Sequence, residues 1–287
     1  MDIVCAFDEK FVVPSSVMIS SGLSAATEKL NFHFLVPPGF IESHSKQTIL
    51  DLFTDYPFHK CDFYEVDLKT LFKSEISMNG LAHFSDAALF RVVMEKVLPT
   101  NLDNIIYLDG DLFIRKWDEL TRILALKPIF SARAESARSS LGKDKYFNSG
   151  VFITSLSYWR QEEVSNQMIQ FLISNPSSLY KDQDALNFVF GGINLKMSTR
   201  VNCPAKNFEG VKDVEVIHYV GSIKPWKIHA PLTQPTRMWR GQYRGEYGFK
   251  PKLEKVNNWL LKFIFTSAEA FVLSIKVISK RQPSQKD

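Results

Sequence analysis

Cysteine is scarce in this chain, and no two cysteines form a C-x-x-C pair. Cys5, Cys61 and Cys203 lie far apart among the 287 residues, which argues against a disulfide framework and against a thiolate zinc site. The first residues contain no charged segment followed by a long apolar stretch, so they predict no secretory signal. These absences favour a reducing compartment, and we expect a cytoplasmic protein.

A strong excess of one charge is also missing. The formal net charge is +4, and the basic residues that produce it lie in the tail, where eight Lys or Arg accompany three Asp or Glu from Lys250 onward. Before Lys250, 27 basic residues are balanced by 28 acidic residues. A nucleic-acid-binding face needs clustered basic side chains that neutralise phosphates. The near-neutral body therefore predicts no nucleic-acid partner.

Apolar residues, in contrast, are abundant enough for a large core. Hydrophobic residues make up 45% of the chain and aromatic residues 13%, and short β-rich runs alternate with helical stretches. The predicted strands cover 2–7, 31–36, 61–66, 104–108, 129–132, 151–154 and 214–219, and the predicted helices cover 12–23, 41–53, 84–98, 159–173 and 183–190. This alternation is typical of an α/β fold with a parallel sheet. We expect a ligand crevice beyond the carboxyl ends of its strands.

Two carboxylates, Asp109 and Asp111, follow the apolar run at 104–108 and are separated by Gly110, which permits a tight turn. Like charges this close repel each other unless a cation lies between them or one is protonated. Carboxylate oxygens suit Mg²⁺ or Mn²⁺, and an added imidazole ligand from His218 favours Mn²⁺. The bland alternative is a polar loop whose aspartates cap the next helix.

Residues 218–226 place an imidazole, a glycine and a cation in one loop. Gly221 allows close backbone approach, and Lys224 offers a point charge, so the loop suits a diphosphate bound through a metal ion. Taken singly, His218 and Lys224 are better interpreted as a satisfied histidine and a solvated lysine.

Six segments together resemble one family, the retaining glycosyltransferases of family 8, and especially bacterial lipopolysaccharide galactosyl- and glucosyltransferases. The segments occur in family order and are 3–8 (Ile-Val-Cys-Ala-Phe-Asp), 88–91 (Ala-Leu-Phe-Arg), 107–111 (Tyr-Leu-Asp-Gly-Asp), 146–151 (Tyr-Phe-Asn-Ser-Gly-Val), 182–187 (Asp-Gln-Asp-Ala-Leu-Asn) and 218–226 (His-Tyr-Val-Gly-Ser-Ile-Lys-Pro-Trp). The resemblance implies a GT-A fold, a Rossmann-like mixed sheet flanked by helices that binds a nucleotide sugar. It also implies a UDP-sugar donor and Mn²⁺, with Mg²⁺ as the alternative ion.

Roles at individual positions follow from the same resemblance. Asp109, Asp111 and His218 match the metal ligands, with Gly110 between the aspartates, and Gly221 and Lys224 match phosphate contacts. The donor positions that it implies are Ala6 and Asp8 for uridine, Phe11 for stacking on uracil, Arg91 for the donor sugar and diphosphate, and Asn148, Asp182 and Gln183 around the sugar. Glu135 stands where a donor-binding aspartate is expected, and its longer side chain leaves galactose and glucose both open.

The expected chemistry is departure of UDP from an oxocarbenium-like sugar, which requires fixed positive charge on the leaving diphosphate. The predicted catalytic residues are Gln183, Asp182 and Lys224. Because an amide oxygen is weakly basic, Gln183 is a poor nucleophile. We therefore favour front-side attack by the acceptor hydroxyl, with Gln183 stabilising the developing cation. Asp182 and Asp184 have a second interpretation as N-caps of the helix that begins near Gln183.

The predicted organisation is a catalytic domain over 1–249 and an amphipathic segment over 250–287. Lys255, Lys262, Glu269 and Lys276 recur every seven residues within a mostly apolar stretch, which favours a helix lying on an anionic membrane surface. An ordinary terminal helix packed on the body is the alternative. The expected location is the inner face of the cytoplasmic membrane, near a glycan or glycolipid acceptor.

Two other function classes share some of these features. A metal-dependent nucleotidyltransferase or nucleotide-sugar phosphohydrolase would also use strand-end aspartates, but residues 8–14 contain none of the glycines that its phosphate loop needs. A lectin-like or membrane scaffold without catalysis is disfavoured by the presence of both aspartates, Gln183 and His218.

Overall fold

The computed structural model of the protein describes residues 1–71, 86–135 and 146–247. Its strands are β1 (Asp2–Ala6), β2 (Asn31–Val36), β3 (Lys60–Glu65), β4 (Asn104–Leu108), β5 (Leu112–Ile114), β6 (Phe130–Ala134), β7 (Phe147–Ser155), β8 (Leu195–Met197), β9 (Cys203–Pro204) and β10 (Val216–His218). Its α-helices are α1 (Val12–Ser24), α2 (His44–Asp51), α3 (Leu68–Leu71), α4 (Asp86–Val92), α5 (Met94–Val97), α6 (Asp118–Leu124), α7 (Leu156–Gln161), α8 (Val164–Ser174), α9 (Asp182–Phe190) and α10 (Gln234–Tyr247). Short 3₁₀ helices cover Glu9–Phe11, Phe40–Glu42 and Ala205–Gly210.

The main sheet has seven strands in the order β3-β2-β1-β4-β7-β6-β8. Strands β3, β2, β1 and β4 run parallel to one another, but β7 is antiparallel to both β4 and β6. The parallel sheet predicted from the alternation of elements is therefore wrong, whereas the mixed sheet implied by the family resemblance is confirmed. A buried strand has the same apolar pattern whether it runs parallel or antiparallel to its neighbours, so the sequence of β7 could not show its direction.

A second sheet joins β5, β10 and β9, with β10 antiparallel to β5 and parallel to β9. The sequence predicted β10 but not β5 or β9, because strands of three and two residues carry no measurable alternation. This small sheet brings the end of β10 next to the residues that follow β4.

The main sheet is covered on both faces. Ile105 and Tyr107 of β4 belong to one buried cluster, which includes residues of α4, α8 and α9. Ile106 and Leu108 belong to a second cluster with residues of α1 and α6. The continuous apolar sequence of β4 follows from this burial on both sides.

Three predicted helices are divided in the structure. The helix predicted at 84–98 breaks at Val93 between α4 and α5, and its first two residues lie outside the described residues. The helix at 41–53 is interrupted by extended Ser43, and the helix at 159–173 is interrupted by Glu163 with a φ of 51°. Side-chain periodicity continues across such breaks, so the sequence could not locate them.

The chain divides into two compact units, Met1–Val220 and Gly221–Asp287. Within the second unit, Trp239 of α10 packs against Trp226 and Tyr243, with ring centroids 5.6 Å apart in each pair. The predicted amphipathic segment at 250–287 lies outside the described residues, and the boundary predicted after residue 249 stays a prediction. No helix in the described ranges is both long and apolar enough to cross a membrane.

Candidate active site

Strand ends bring the predicted polar residues to one edge of the main sheet. β1 pairs with β4 in parallel, with Val4 opposite Tyr107, so Asp8 and Asp109 follow their strands at the same edge. The Asp8 side chain accepts a hydrogen bond from the backbone N–H of Phe11 at 3.1 Å and so begins the short helix before α1. The strand order thus assembles residues that are a hundred positions apart in sequence.

A cavity of about 280 Å³ opens at this edge. Among the residues that line it are seven predicted donor or metal positions, namely Ala6, Asp8, Phe11, Arg91, Asp109, Gly110 and Asp111. The cavity lining therefore combines an aromatic ring with carboxylates and a guanidinium. Such a pairing of flat apolar surface with charge suits a ligand that has a ring at one end and phosphates at the other.

Asp109, Asp111 and His218 form a group that can hold a metal ion, since their ligand atoms all lie within 4.8 Å of one another. The Nε2 atom of His218 lies 3.2 Å from Oδ1 of Asp111, and only 6% and 11% of these side chains are exposed. Neighbouring ligands of an octahedral ion are about 3 Å apart when the metal–ligand distances are about 2.1 Å. The donor set therefore fits a divalent ion. The pairing of His218 with Leu112 across β10 and β5 produces this proximity.

Gly110 is required for close packing as well as for the turn. A Cβ atom at this position would lie 2.3 Å from Oγ of Ser15 and 3.0 Å from the ring of Phe11. Its neighbour Ser15 belongs to α1 and is fully buried. The glycine between the two aspartates therefore lets α1 approach the metal-binding turn directly.

Arg91 is the buried cation of the site. It donates to Oδ1 of Asp109 at 3.1 Å and to the backbone carbonyl of Ser149 at 3.2 Å, and its other terminal nitrogen lies 2.5 Å from Oδ2 of Asp182. Its guanidinium also lies 5.2 Å from the ring centroid of Tyr107. Burial alone would lower the pKa of Arg91, but the negative charges of Asp109 and Asp182 outweigh burial and raise it.

Asp182 lies at the start of α9 and does not cap it. The N-cap position is held by Lys181, with a φ of 47°, so the interpretation of Asp182 and Asp184 as N-caps is wrong. Burial raises the pKa of Asp182, and the positive charge of Arg91 only partly offsets this effect. Asp184 instead accepts hydrogen bonds from the hydroxyl of Tyr146 at 2.5 Å and from the backbone N–H of Tyr180 at 3.0 Å.

Hydrogen bonds from neighbouring residues to its side-chain oxygen hold Gln183 in place. Oε1 accepts from the backbone N–H of Ser149 and from Nδ2 of Asn148, each at 3.2 Å. Nε2 donates to the hydroxyl oxygen of Tyr146 at 3.0 Å. Because a backbone N–H can only donate, these contacts fix which end of the amide faces β7.

Asn148 also connects Gln183 to the metal-binding group. Its Oδ1 accepts from the backbone N–H of Gly150 at 3.0 Å and from Nδ2 of Asn202 at 2.9 Å. Asn202 in turn lies 2.7 Å from Nδ1 of His218. The predicted residues Asn148, Gln183 and His218 thus belong to one hydrogen-bonded network.

Three further predicted positions make other contacts. Glu135 directly follows β6, and its backbone N–H donates to the carbonyl of Tyr146 at 2.8 Å. Gly221 and Lys224 belong to the second compact unit, where Gly221 has a φ of 81° and the Lys224 ammonium lies 5.8 Å from the ring centroid of Trp226. The roles predicted for these three residues stay predictions.

Comparison with known proteins identifies the family. The sequence model described as "Glycosyl transferase family 8" matches residues 2–230. The chain belongs to glycosyl transferase family 8. This match confirms the resemblance seen in the sequence. Because the family consists of transferases, membership supports the assignment of this chain as a transferase.

The family 8 chain is also similar to individual bacterial proteins. The chain is 22% identical over 280 residues to General stress protein A of Bacillus subtilis (strain 168), covering 86% of this chain and 91% of that one. It is 24% identical over 253 residues to lipopolysaccharide 1,3-galactosyltransferase of Salmonella typhimurium, covering 78% and 72%. The crystal structure of galactosyltransferase LgtC in complex with donor and acceptor sugar analogs matches with a TM-score of 0.69 and 20% identity, over 88% of this chain and 98% of that one. The structural match confirms the GT-A fold of this family 8 chain.

Sequence analysis of the family 8 chain did not identify Asn202, and it assigned no role to Tyr146 or Ser149. The last two lie within the recognised segment at 146–151, so the segment itself was a usable signal. Asn202 lies outside every recognised segment. Only the pairing of β9 with β10 brings Asn202 next to His218.

Proposed function

We propose that this family 8 protein moves a hexose, galactose or glucose, from a UDP-sugar to a glycan acceptor with retention at the anomeric carbon. The observation that carries the proposal is that Asp109 and Asp111 line one cavity with Arg91, and that His218 lies beside Asp111 and completes the metal-binding group. Lipopolysaccharide or another surface glycoconjugate is the proposed acceptor. The similarity to the lipopolysaccharide 1,3-galactosyltransferase of Salmonella typhimurium supports that choice.

Asp109, Asp111 and His218 would hold the divalent ion, and we propose Mn²⁺, with Mg²⁺ as the alternative. When bound, such an ion neutralises part of the diphosphate charge as UDP departs. Phe11 and Asp8 line the same cavity, and they suit the uracil ring and the uridine, respectively. We assign Gly221 and Lys224 to the phosphates from their sequence segment.

Arg91 supplies fixed positive charge beside the metal-binding group. Its ion pairs with Asp109 and Asp182 hold the guanidinium in place before any substrate arrives. Preorganised charge of this kind stabilises a developing negative charge without the cost of reorientation during the reaction. We therefore propose that Arg91 contributes to departure of the diphosphate.

Gln183 favours front-side attack over a covalent intermediate. Its Oε1 already accepts hydrogen bonds from Ser149 and Asn148, and both bonds reduce the nucleophilicity of an oxygen that is weakly basic to begin with. In the proposed reaction the acceptor hydroxyl approaches beside the leaving phosphate. The bond between the anomeric carbon and the phosphate oxygen breaks, the new glycosidic bond forms on the same face, and the proton passes to the diphosphate. Asp182 positions Arg91 within this arrangement.

Membership in family 8 favours the transferase over the alternatives from sequence analysis. A nucleotidyltransferase or nucleotide-sugar phosphohydrolase would share the strand-end aspartates, but neither explains the match over residues 2–230. A scaffold without catalysis would have no need for the buried Arg91 between two carboxylates.

The donor and the ion can be tested together. The full chain is incubated with Mn²⁺ and a panel of UDP-sugars, and UDP release is measured with and without Asp111→Asn. Asp111 is preferred to Asp109 because Asp109 also forms an ion pair with Arg91. We expect release from UDP-galactose or UDP-glucose and a decrease of about 10²-fold or more in the variant.

Asp118→Asn is the matched control, because it removes an exposed carboxylate from α6. This control variant should release UDP at the wild-type rate. Equal release by Asp111→Asn and the wild type would contradict the metal-assisted reaction, and release from no UDP-hexose would contradict the proposed donor.

We also propose that residues 250–287 attach the enzyme to the inner face of the cytoplasmic membrane, where a lipid-linked acceptor lies. The support is the regular spacing of Lys255, Lys262 and Lys276 in a mostly apolar segment and the excess of basic residues after Lys250. The test compares binding to vesicles of anionic phospholipid between the wild type and a variant with these three lysines changed to Glu.

The matched control changes three exposed lysines of the body, Lys116, Lys206 and Lys212, to Glu. Both variants have the same net charge, so a difference between them reports the position of the charges. We expect the tail variant to lose vesicle binding and to keep donor hydrolysis. Equal vesicle binding by both variants would contradict the proposal.

A further inference from the structure

We propose that Asn202 is a positioning residue for the metal-binding group. Its side-chain oxygen accepts the Nδ1–H of His218, and the Nε2 lone pair of His218 is thereby directed to the divalent ion. The inference rests on the proposed function, because it concerns the same cluster of Asp109, Asp111 and His218.

The orientation of the Asn202 amide is fixed by groups that can only accept. Nδ2 of Asn202 lies 3.2 Å from the backbone carbonyl of Asn148, which has no proton to donate. Nδ2 also donates to Oδ1 of Asn148 at 2.9 Å, and that oxygen is identified by the backbone N–H of Gly150, which donates to it at 3.0 Å. The oxygen of the Asn202 amide must therefore face His218.

The orientation of the Asn202 amide determines which nitrogen of the His218 ring carries the proton. Oδ1 of Asn202 lies 2.7 Å from Nδ1 of His218, and because an amide oxygen only accepts, Nδ1 is the protonated ring nitrogen. In a neutral imidazole the other nitrogen then carries the lone pair. That nitrogen, Nε2, faces Oδ1 of Asp111 at 3.2 Å and belongs to the metal-binding group.

The backbone at Asn202 restricts which residues can take this role. Asn202 has a φ of 56°, in the left-handed region, and only 1% of the residue is exposed. Asparagine enters this region more readily than most residues. The next residue, Cys203, begins β9 and pairs with Ile217 of β10, which sets the position of Asn202 relative to His218. Backbone conformation and side-chain chemistry thus both favour asparagine at this position.

Partners of this kind contribute measurably to metal sites. Their loss commonly lowers metal affinity by about 10- to 100-fold, because the ligand's tautomer and orientation are no longer fixed. The side chain of His218 is also packed against Gly150, where a Cβ atom would lie 2.3 Å from Cε1. Gly150 therefore limits the space available to the ring, whereas Asn202 sets its protonation pattern.

The test measures binding of Mn²⁺ alone to the full chain, without any nucleotide sugar, from the electron paramagnetic resonance signal of free Mn²⁺. Asn202→Gly removes the amide and keeps the left-handed backbone accessible, so we expect Mn²⁺ affinity to fall about 10- to 100-fold. Asn202→Asp keeps an acceptor for the Nδ1–H but turns an oxygen toward the carbonyl and Oδ1 of Asn148, so we expect a loss of Mn²⁺ affinity that is smaller than that of Asn202→Gly. Asp213→Gly is the matched control, because Asp213 is exposed and also has a positive φ of 51°.

A second measurement uses the wild-type chain only and does not depend on how a variant folds. The nitrogen chemical shifts of the His218 ring, recorded with Mg²⁺ bound, should show a protonated Nδ1 and an unprotonated Nε2. The opposite pattern would overturn the proposal. So would wild-type Mn²⁺ affinity in Asn202→Gly, or equal losses in the Gly and Asp variants, since equal losses indicate a purely structural role.

Failure of this inference is distinguishable from failure of the proposed function. If Asp111→Asn abolishes Mn²⁺ binding and Asn202→Gly does not change it, the metal-dependent transfer stands and the role of Asn202 is rejected. If the wild type binds no Mn²⁺ or Mg²⁺, the metal-binding group itself is rejected and the role of Asn202 with it.

Discussion

Arg91 of α4 and Asp182 of α9 form an ion pair with a distance of 2.5 Å between side-chain nitrogen and oxygen, and each side chain is only 11% exposed. Two charges taken out of water lose hydration, and a close pairing compensates for that loss. The second terminal nitrogen of Arg91 binds Asp109, so one guanidinium connects α9 to the metal-binding turn. A change in this pair therefore affects both stability and the reaction.

The first prediction concerns Arg91→Lys, which keeps the charge but loses the planar fork that contacts two carboxylates at once. We expect kcat/KM for the UDP-sugar to fall about 10²-fold or more, the scale found when a preorganised donor is removed. Steady-state UDP release measures it. Arg122→Lys, on the exposed surface of α6, is the control and should match the wild type. Wild-type kinetics in Arg91→Lys would show that the fork geometry is not required.

A second prediction concerns Gly150→Ala. The new Cβ atom would lie 2.3 Å from Cε1 and 2.7 Å from Nδ1 of His218, so the imidazole must move. We expect Mn²⁺ affinity to fall about 10-fold or more and the free energy of unfolding to fall by about 1 to 3 kcal/mol. Isothermal titration with Mn²⁺ and urea unfolding measure the two effects. At Gly192 a Cβ atom meets nothing within 4 Å, so Gly192→Ala should change neither quantity.

The third prediction concerns Arg200, which neutralises two carboxylates away from the proposed site. It contacts Glu119 at 3.2 Å and Glu215 at 3.3 Å, and these carboxylate side chains are 2% and 1% exposed, whereas Arg200 is 43% exposed. Arg200→Met leaves both buried carboxylates without their cation, and we expect a loss of about 2 kcal/mol in unfolding free energy.

Urea unfolding of Arg200→Met, with the exposed Arg237→Met as control, tests this expectation. The pH dependence provides a further check on Glu119. Burial would raise the pKa of Glu119, but hydrogen bonds from Ser198 and Arg200 outweigh burial and lower it. Stability contributed by this group is present above the ordinary pKa of Glu and is lost as the pH falls through the lowered pKa. A variant as stable as the wild type at neutral pH would contradict the prediction.

The fourth prediction concerns Glu95→Gln. Burial raises the pKa of Glu95 above its ordinary value of 4.5, and the hydrogen bond from Ser165 only partly offsets this. The folded state therefore holds the proton more tightly than the unfolded state, so stability is present at low pH and is lost as the pH rises through the raised pKa. Because glutamine does not ionise, the variant does not lose stability as the pH rises. We expect it to be more stable than the wild type near pH 8 but not near pH 4.

Thermal unfolding at both pH values measures the effect of Glu95→Gln. Glu162→Gln, an exposed carboxylate at the end of α7, is the control and should show no pH-dependent gain. The same difference between Glu95→Gln and the wild type at both pH values would mean that ionisation of Glu95 does not influence stability.

The sequence was most informative for β4 and the metal-binding group. The apolar run at 104–108 predicted β4 residue for residue, because a strand buried on both faces has a continuous apolar sequence. Asp109 and Asp111 were recognisable because strand ends in α/β sheets carry ligand contacts. His218 was recognisable from its own loop, the family resemblance added Arg91 and Gln183, and the structure places all three in one connected set of contacts.

The sequence by itself therefore determined the apolar strands, the acidic turn after β4 and the family, because each of these depends on short contiguous segments. Only the tertiary structure decided the antiparallel direction of β7, the ion pair of Arg91 with Asp182 and the contact of Asn202 with His218. The physical reason is that strand pairing and helix packing choose which distant residues meet, and the free energy of those contacts depends on burial and distance. Neither quantity is encoded in local spacing.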